Sequence, residues 1–145
     1  MRLEGETLSP GVAEGELLLL REPLSFWGGM DPATGRITDR HHPQNGSGVS
    51  GRILAMTSGR GSSSSSSVLA ESIRAGSAPA GIVLAERDII IALGAIVADM
   101  LYARRCPVVL LTPDAFASLL PPARLRIAAD PSTASVEILA EGSGA

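Results

Sequence analysis

A chain of 145 residues with 45% hydrophobic content can close one core, which excludes a disordered polypeptide. A net charge of −3 and 3% aromatic residues remove the basic face and the stacking platforms that nucleic-acid binding needs, so no DNA or RNA partner is expected. All 12 basic residues are arginine and Cys106 is the only cysteine. That excludes a lysine Schiff base, a lysine-bearing phosphate loop, a pyridoxal cofactor, an internal disulfide and a cluster or zinc site on this chain's own thiolates.

The opening Met1-Arg2-Leu3-Glu4-Gly5-Glu6 lacks the apolar region of a signal peptide. The longest apolar run, Ile89 to Ala98, is bounded by Asp88 and Asp99 and is too short to cross a bilayer, so a cytoplasmic protein without membrane contact is expected. After the turn signal Ser9-Pro10-Gly11, Leu17 to Leu20 predicts an early strand. Leu24 to Gly48 is a long segment punctuated by Gly and Pro, the signature of a functional loop. Ile53 to Met56 then reads as a short buried strand, and Val68, Leu69 and Ile73 repeat at helical spacing to about Arg74. Gly81 to Leu84 predicts another strand, and Asp88 caps an apolar helix that runs to about Leu101. Cys106 reads as a small hydrophobe at the entrance of a strand over Val108 to Leu111. A short helical piece at Ala115 to Leu120 and two strands, Arg124 to Ala128 and Ser135 to Leu139, complete the pattern. The fold class is α/β, a single compact domain over residues 1–141 without internal repeat, followed by a disordered Gly-Ser tail at 142–145.

Two segments carry the candidate chemistry. Thr57 to Ser67 lies directly between a strand and a helix, so it can aim backbone N–H groups, hydroxyls, the positive end of a helix dipole and the Arg60 guanidinium at one carboxylate or phosphate. Six consecutive serines also suit a flexible linker, but a linker is not welded to regular structure at both ends. In the long loop, Trp27-Gly28-Gly29-Met30-Asp31 reads either as a backbone that approaches a ligand closely or as a turn anchored by buried aromatics. Adjacent His41 and His42 point to opposite faces of an extended chain. Surface or interface hydrogen bonding is expected of them, and no metal site.

Pro23-Leu24-Ser25-Phe26-Trp27-Gly28-Gly29-Met30-Asp31-Pro32, Thr34-Gly35, Asp39-Arg40-His41-His42-Pro43, Ser58-Gly59-Arg60-Gly61-Ser62-Ser63 and Ala92-Leu93-Gly94-Ala95-Ile96-Val97-Ala98 together resemble the small subunit, or small domain, of the aconitase X proteins. The resemblance covers about residues 5 to 112. It implies a swivelling β/β/α domain that closes over a larger subunit, the aconitase X large subunit, whose cysteines hold an iron–sulfur or iron centre, with no cofactor bound by this chain. It also implies dehydration of a small hydroxy acid, with the first serine after Gly59-Arg60-Gly61, Ser62, as the catalytic proton acceptor. Arg60, Gly61 and Ser63, together with Gly28, Gly29 and Asp31 of the long loop, are the candidate substrate-binding residues.

A serine hydroxyl with a pKa near the roughly 15.7 of water needs about 10 kcal/mol to reach a pKa of about 8. A helix N-terminus contributes at most about 2 kcal/mol, Arg60 and backbone N–H groups must add more, and much of the rest has to come from the metal-bearing partner, so the small subunit alone should be silent. Members with the Phe-Trp-Gly-Gly and Ser-Gly-Arg-Gly-Ser-Ser forms resemble cis-3-hydroxy-L-proline dehydratase, which yields a pyrroline-2-carboxylate. Archaeal relatives act on 5-phosphomevalonate and tend to carry lysine where Arg60 stands here. A reading of another class is a non-catalytic swivelling carrier, echoed by Leu8-Ser9-Pro10-Gly11 and by Cys106-Pro107-Val108-Val109. A phosphoryl carrier, however, needs a histidine where this chain has Ala92-Leu93-Gly94. A module that only binds a small acid is the third reading, and it would bind its ligand without a partner.

Overall fold

The computed structural model describes residues 1–139. The chain runs β1 (Arg2–Ser9), β2 (Gly11–Leu19), α1 (Phe26–Gly29), β3 (Ile53–Met56), α2 (Ser64–Ala75), β4 (Gly81–Leu84), α3 (Ile89–Tyr102), β5 (Val108–Leu110), α4 (Pro113–Ala117), β6 (Arg124–Ala129) and β7 (Ala134–Leu139). The expected domain end at residue 141 and the tail at 142–145 lie outside the described residues. No helix among the described residues is long and apolar enough to cross a membrane.

The short middle strands are apolar throughout because both of their faces are covered. Leu54, Met56, Ile82, Leu84 and Val108 pack outward against α2, α3 and the long loop. The intervening Ile53, Ala55, Val83 and Val109 point the other way, onto Leu125, Ile127 and Val136. Two cores therefore share one sheet. That sheet closes into a barrel in the order β1-β5-β4-β3-β2-β6-β7. Strands β2 to β5 are parallel, while β1, β6 and β7 join antiparallel, and β1 seals the ring between β5 and β7. On β6, buried Leu125, Ile127 and Ala129 alternate with exposed Arg124, Arg126 and Ala128. Both arginines hydrogen-bond Glu14 of β2 and hold its carboxyl below the usual range.

The structure corrects the amino-terminal reading. The strand expected at Leu17 to Leu20 corresponds to the carboxyl end, Leu17 to Leu19, of the longer β2, and β1 precedes it. Charged Arg2, Glu4 and Glu6 alternate there with half-buried Leu3, Gly5 and Thr7, so little apolar signal reaches the sequence. The inward position at Gly5 has no room for a side chain, since a Cβ would stand 2.7 Å from Val109 Cγ1. The other elements fall where expected to within a few residues, although the helical piece near Ala115 is shifted to Pro113–Ala117.

Because β2 to β5 are parallel, their carboxyl ends share one rim of the barrel. The chain leaves that rim into the long loop after β2, the serine loop after β3 and the Asp88 turn after β4. In α/β folds this is the edge where ligands bind.

Candidate active site

The loop that leaves β3 is held in place before it reaches the serines. Thr57 O accepts the N–H groups of Ala85 and Glu86 at 3.1 and 2.8 Å, which ties the loop to the end of β4. Gly59 N donates to Asp88 Oδ2 at 2.9 Å, and Arg60 N donates to Leu24 O at 3.2 Å. The chain then turns through Gly61 at φ +106°, where a side chain would also collide with the Ser25 hydroxyl.

Ser62 follows this turn, exposed at the start of α2. Its Oγ accepts the N–H of Ser64 at 3.2 Å. The residue at the helix boundary, Ser63, makes no side-chain cap bond, and Ser66 Oγ instead donates back to Ser63 O at 2.8 Å. The side chain that accepts an N–H at this helix start is therefore that of Ser62. Among the described residues, the N–H groups of Gly61, Ser62 and Ser63 find no protein acceptor. Three N–H groups, the positive end of α2 and a hydroxyl thus lie on consecutive exposed residues, a set of donors suited to an anion or a developing oxyanion.

The six candidate binding residues divide into two groups. Arg60, Gly61 and Ser63 flank Ser62 directly. The Arg60 guanidinium lies 3.6 Å from the Glu22 carboxylate, an exposed pair worth about 0–1 kcal/mol and easily exchanged for a ligand. Gly28 and Gly29 belong to α1, one irregular turn in which Gly28 adopts φ +84° and is exposed while Gly29 is buried against Leu24 and Ser25. Asp31 is not brought to the serine loop by any hydrogen bond. Its Oδ1 accepts Ala33 N at 2.9 Å and closes a local turn.

What joins the α1 segment to the serine loop is Ser65, which sequence reasoning passed over. Its hydroxyl is buried, accepts Trp27 N at 3.3 Å and lies 3.5 Å from Ser25 Oγ, while Ser25 Oγ donates to Trp27 O at 2.8 Å. The available signal was spacing, since Ser65 shares a helix face with buried Leu69 and Ile73. His42 is a correction as well, because it is buried and is not a surface group. Its Nδ1 accepts Gln44 N at 3.0 Å, so Nε2 carries the proton and donates to Glu22 O at 3.0 Å. It therefore fixes the segment that bears Arg60's carboxylate partner.

The residues present do not fit a metal centre of this chain's own. Among the described residues no group of three or more His, Cys, Asp and Glu side chains converges on one point. The Cys106 thiol is buried, donates to Pro79 O at 3.5 Å and is pushed up to about 12 by burial.

A family model described as the aconitase X swivel domain matches residues 2–138. A protein named cis-3-hydroxy-L-proline dehydratase from Pseudomonas aeruginosa is 54% identical over 102 residues, covering 70% of this chain but only 18% of that relative's length. A protein named phosphomevalonate dehydratase small subunit from Pyrococcus horikoshii is 37% identical over 142 residues, 98% of each chain. The crystal structure of Thermococcus kodakaraensis aconitase X in its holo-form contains a chain that superposes with a TM-score of 0.83 at 35% identity, covering 96% of this chain and 98% of that one. The likeness extends through the sealed barrel and both flanks of the serine loop, and on that full-length agreement this chain belongs to the aconitase X swivel-domain family.

Proposed function

We propose that this chain is the small subunit of a hydro-lyase that dehydrates cis-3-hydroxy-L-proline to a pyrroline-2-carboxylate, with Ser62 as the proton acceptor. The observation that carries the reading is the placement of the Ser62 hydroxyl at the start of α2, accepting the Ser64 N–H beside three N–H groups with no protein acceptor among the described residues. An alkoxide forming at Oγ gains the Ser64 donor and the dipole of a 12-residue helix. The substrate carboxylate would take the free N–H groups and the Arg60 guanidinium, released from Glu22. These donors do not cover the roughly 10 kcal/mol that an active alkoxide needs near neutral pH. The remainder falls to the larger partner, which in this reading holds the iron centre, a Lewis acid for the departing hydroxyl. Support for a hydroxyproline substrate comes from the 54% identity to the Pseudomonas aeruginosa protein of that name and from arginine at position 60.

A second reading has 5-phosphomevalonate as substrate, favoured by the 98% coverage of both chains in the Pyrococcus horikoshii comparison. The test is co-expression with the large subunit and anaerobic assay on both substrates. Ser62→Ala should lower turnover by about 10²- to 10⁴-fold, the scale of a lost general base, while substrate affinity is better preserved. Near-normal turnover in Ser62→Ala would remove the assignment of the base. Turnover of 5-phosphomevalonate alone would replace the substrate.

A further inference from the structure

We infer that Asp88 is a positioning residue for Ser62, a clamp that ties the serine loop to the first turn of α3 and that needs both carboxylate oxygens. The inference rests on the reading of Ser62 as the proton acceptor.

Oδ1 of Asp88 caps α3 by accepting the N–H groups of Ile90 and Ile91 at 3.0 and 3.1 Å. Oδ2 faces away from the helix and accepts Gly59 N at 2.9 Å. The helix cap therefore uses only half of the side chain, and the other half reaches a different loop 29 residues earlier in the sequence. The approach is close. A Cβ at Gly59 would stand 2.7 Å from Oδ2 and 3.1 Å from both Cγ1 and Cδ1 of Ile91. Neighbouring Arg87 is paired with Glu6 at 2.7 Å, and no ion pair to Asp88 exists among the described residues, so backbone N–H groups satisfy this carboxylate.

Between Gly59 and Ser62, among the described residues, the other upstream main-chain anchor is the Arg60 N to Leu24 O bond at 3.2 Å, while downstream Ser62 O accepts Ser65 N at 3.0 Å. The N–H groups of Gly61, Ser62 and Ser63 make no bond to protein among the described residues. Ser62 is thus held by the first turn of α2 on its downstream side and by the Gly59 and Arg60 anchors upstream, and Asp88 supplies the α3 side of that upstream hold. The chemistry also explains why the residue is acidic. Asparagine has the same shape but one acceptor oxygen, so it can serve the cap or Gly59 and must turn an NH2 toward an N–H at the other. Serine caps a helix well but lacks the second acceptor and the reach.

The experiment pairs Asp88→Ser and Asp88→Asn with wild type in two assays. In the isolated chain, amide exchange followed by NMR should show Ile90 and Ile91 still protected in Asp88→Ser while Gly59 exchanges at least about 10-fold faster. In the assembled enzyme with cis-3-hydroxy-L-proline, both variants should lose about 10- to 100-fold in kcat, with KM within about 3-fold. The isolated chain's Tm should fall by no more than about 3 °C in Asp88→Ser. A Gly59 amide that stays protected in Asp88→Ser, or a kcat equal to wild type after protection is lost, overturns the inference. A large loss in Ser62→Ala with none in either Asp88 variant overturns the clamp alone. No loss in Ser62→Ala overturns the reading of the base on which the clamp rests.

Discussion

Replacing Gly94 with alanine probes how tightly α2 is seated on α3, and therefore how firmly the start of α2 is held. Gly94 is buried in the middle of α3, where a Cβ would stand 2.8 Å from the backbone oxygen of Ser66 and 3.1 Å from Cβ and Cδ2 of Leu69. Carbon–oxygen contacts settle near about 3.3–3.6 Å, so the helices must part by roughly half an ångström. Leu69 can rearrange at modest cost, whereas the Ser66 carbonyl is main chain in the first turns of α2 and cannot move alone. Overpacking of this kind costs about 1–3 kcal/mol, and alanine returns about 1 kcal/mol of helix propensity. The expected net is a loss of about 1 kcal/mol, read as a Tm lower by about 3–5 °C in thermal unfolding of the isolated chain followed by circular dichroism. Because Ser66 follows Ser62 by four residues, the same displacement should lower kcat of the assembled enzyme by about 10-fold, given that a misplacement of about 1 Å can cost 10²-fold. Propensity alone predicts the opposite sign. A Tm raised by about 3 °C with unchanged kcat would show that α2 and α3 do not meet this closely.

Ser65→Ala should cost about 1–3 kcal/mol in the isolated chain's unfolding free energy, because it leaves Trp27 N–H without its buried acceptor, whereas Ser66→Ala should cost less than about 1 kcal/mol. Gly28→Ala meets open space but keeps φ +84°, so a loss of about 1–2 kcal/mol in denaturant unfolding is expected from backbone strain alone. The purified chain should be colourless, retain no stoichiometric iron after desalting and show no dehydratase activity; iron at one equivalent per chain would overturn the division of labour between subunits. Cys106 gives a pH prediction. Burial raises the folded thiol from 9.0 to about 12, so its contribution is fully present below pH 9 and is lost as pH rises toward 12, at about 1.4 kcal/mol per pH unit. Urea unfolding should show no loss from this group between pH 8 and 9 and that slope from pH 9 to 11, and Cys106→Ala should flatten it.

The middle of the fold is legible in the sequence because burial on both faces writes an unbroken apolar word such as Ile53-Leu54-Ala55-Met56. The amino-terminal strand is not legible, because its inward face carries a glycine where hydropathy needs a branched side chain. The serine loop announces itself by its position between β3 and α2. Its anchors do not, since the pairs Gly59 with Asp88 and Trp27 with Ser65 lie 29 and 38 residues apart and depend on how the elements pack. The burial of His42 is hidden from the sequence for a similar reason. An imidazole in a polar stretch reads as exposed until the loop is seen to fold over it, with Glu22 O and Gln44 N as partners.

The barrel's seam joins its first strand to its last, with Arg2 opposite Glu137 and Gly5 opposite Ala134. A ribosome delivers these residues in the order least helpful to the ring. The β1 strand emerges at the outset and must wait for nearly the whole domain before one of its two neighbours exists. Helices α2 and α3 and the parallel strands can assemble earlier, but the inner core of Ile127 and Val136 closes only when the carboxyl-terminal hairpin arrives. Contacts that span most of the chain form slowly, so closure of the seam should be the late step of folding. Once it has formed, both ends of the barrel leave from neighbouring strands, and a covalent tether at either one pulls on the same side of the molecule. That geometry lets one domain serve as a free-standing chain or as a segment of a longer polypeptide without its serine loop being rebuilt.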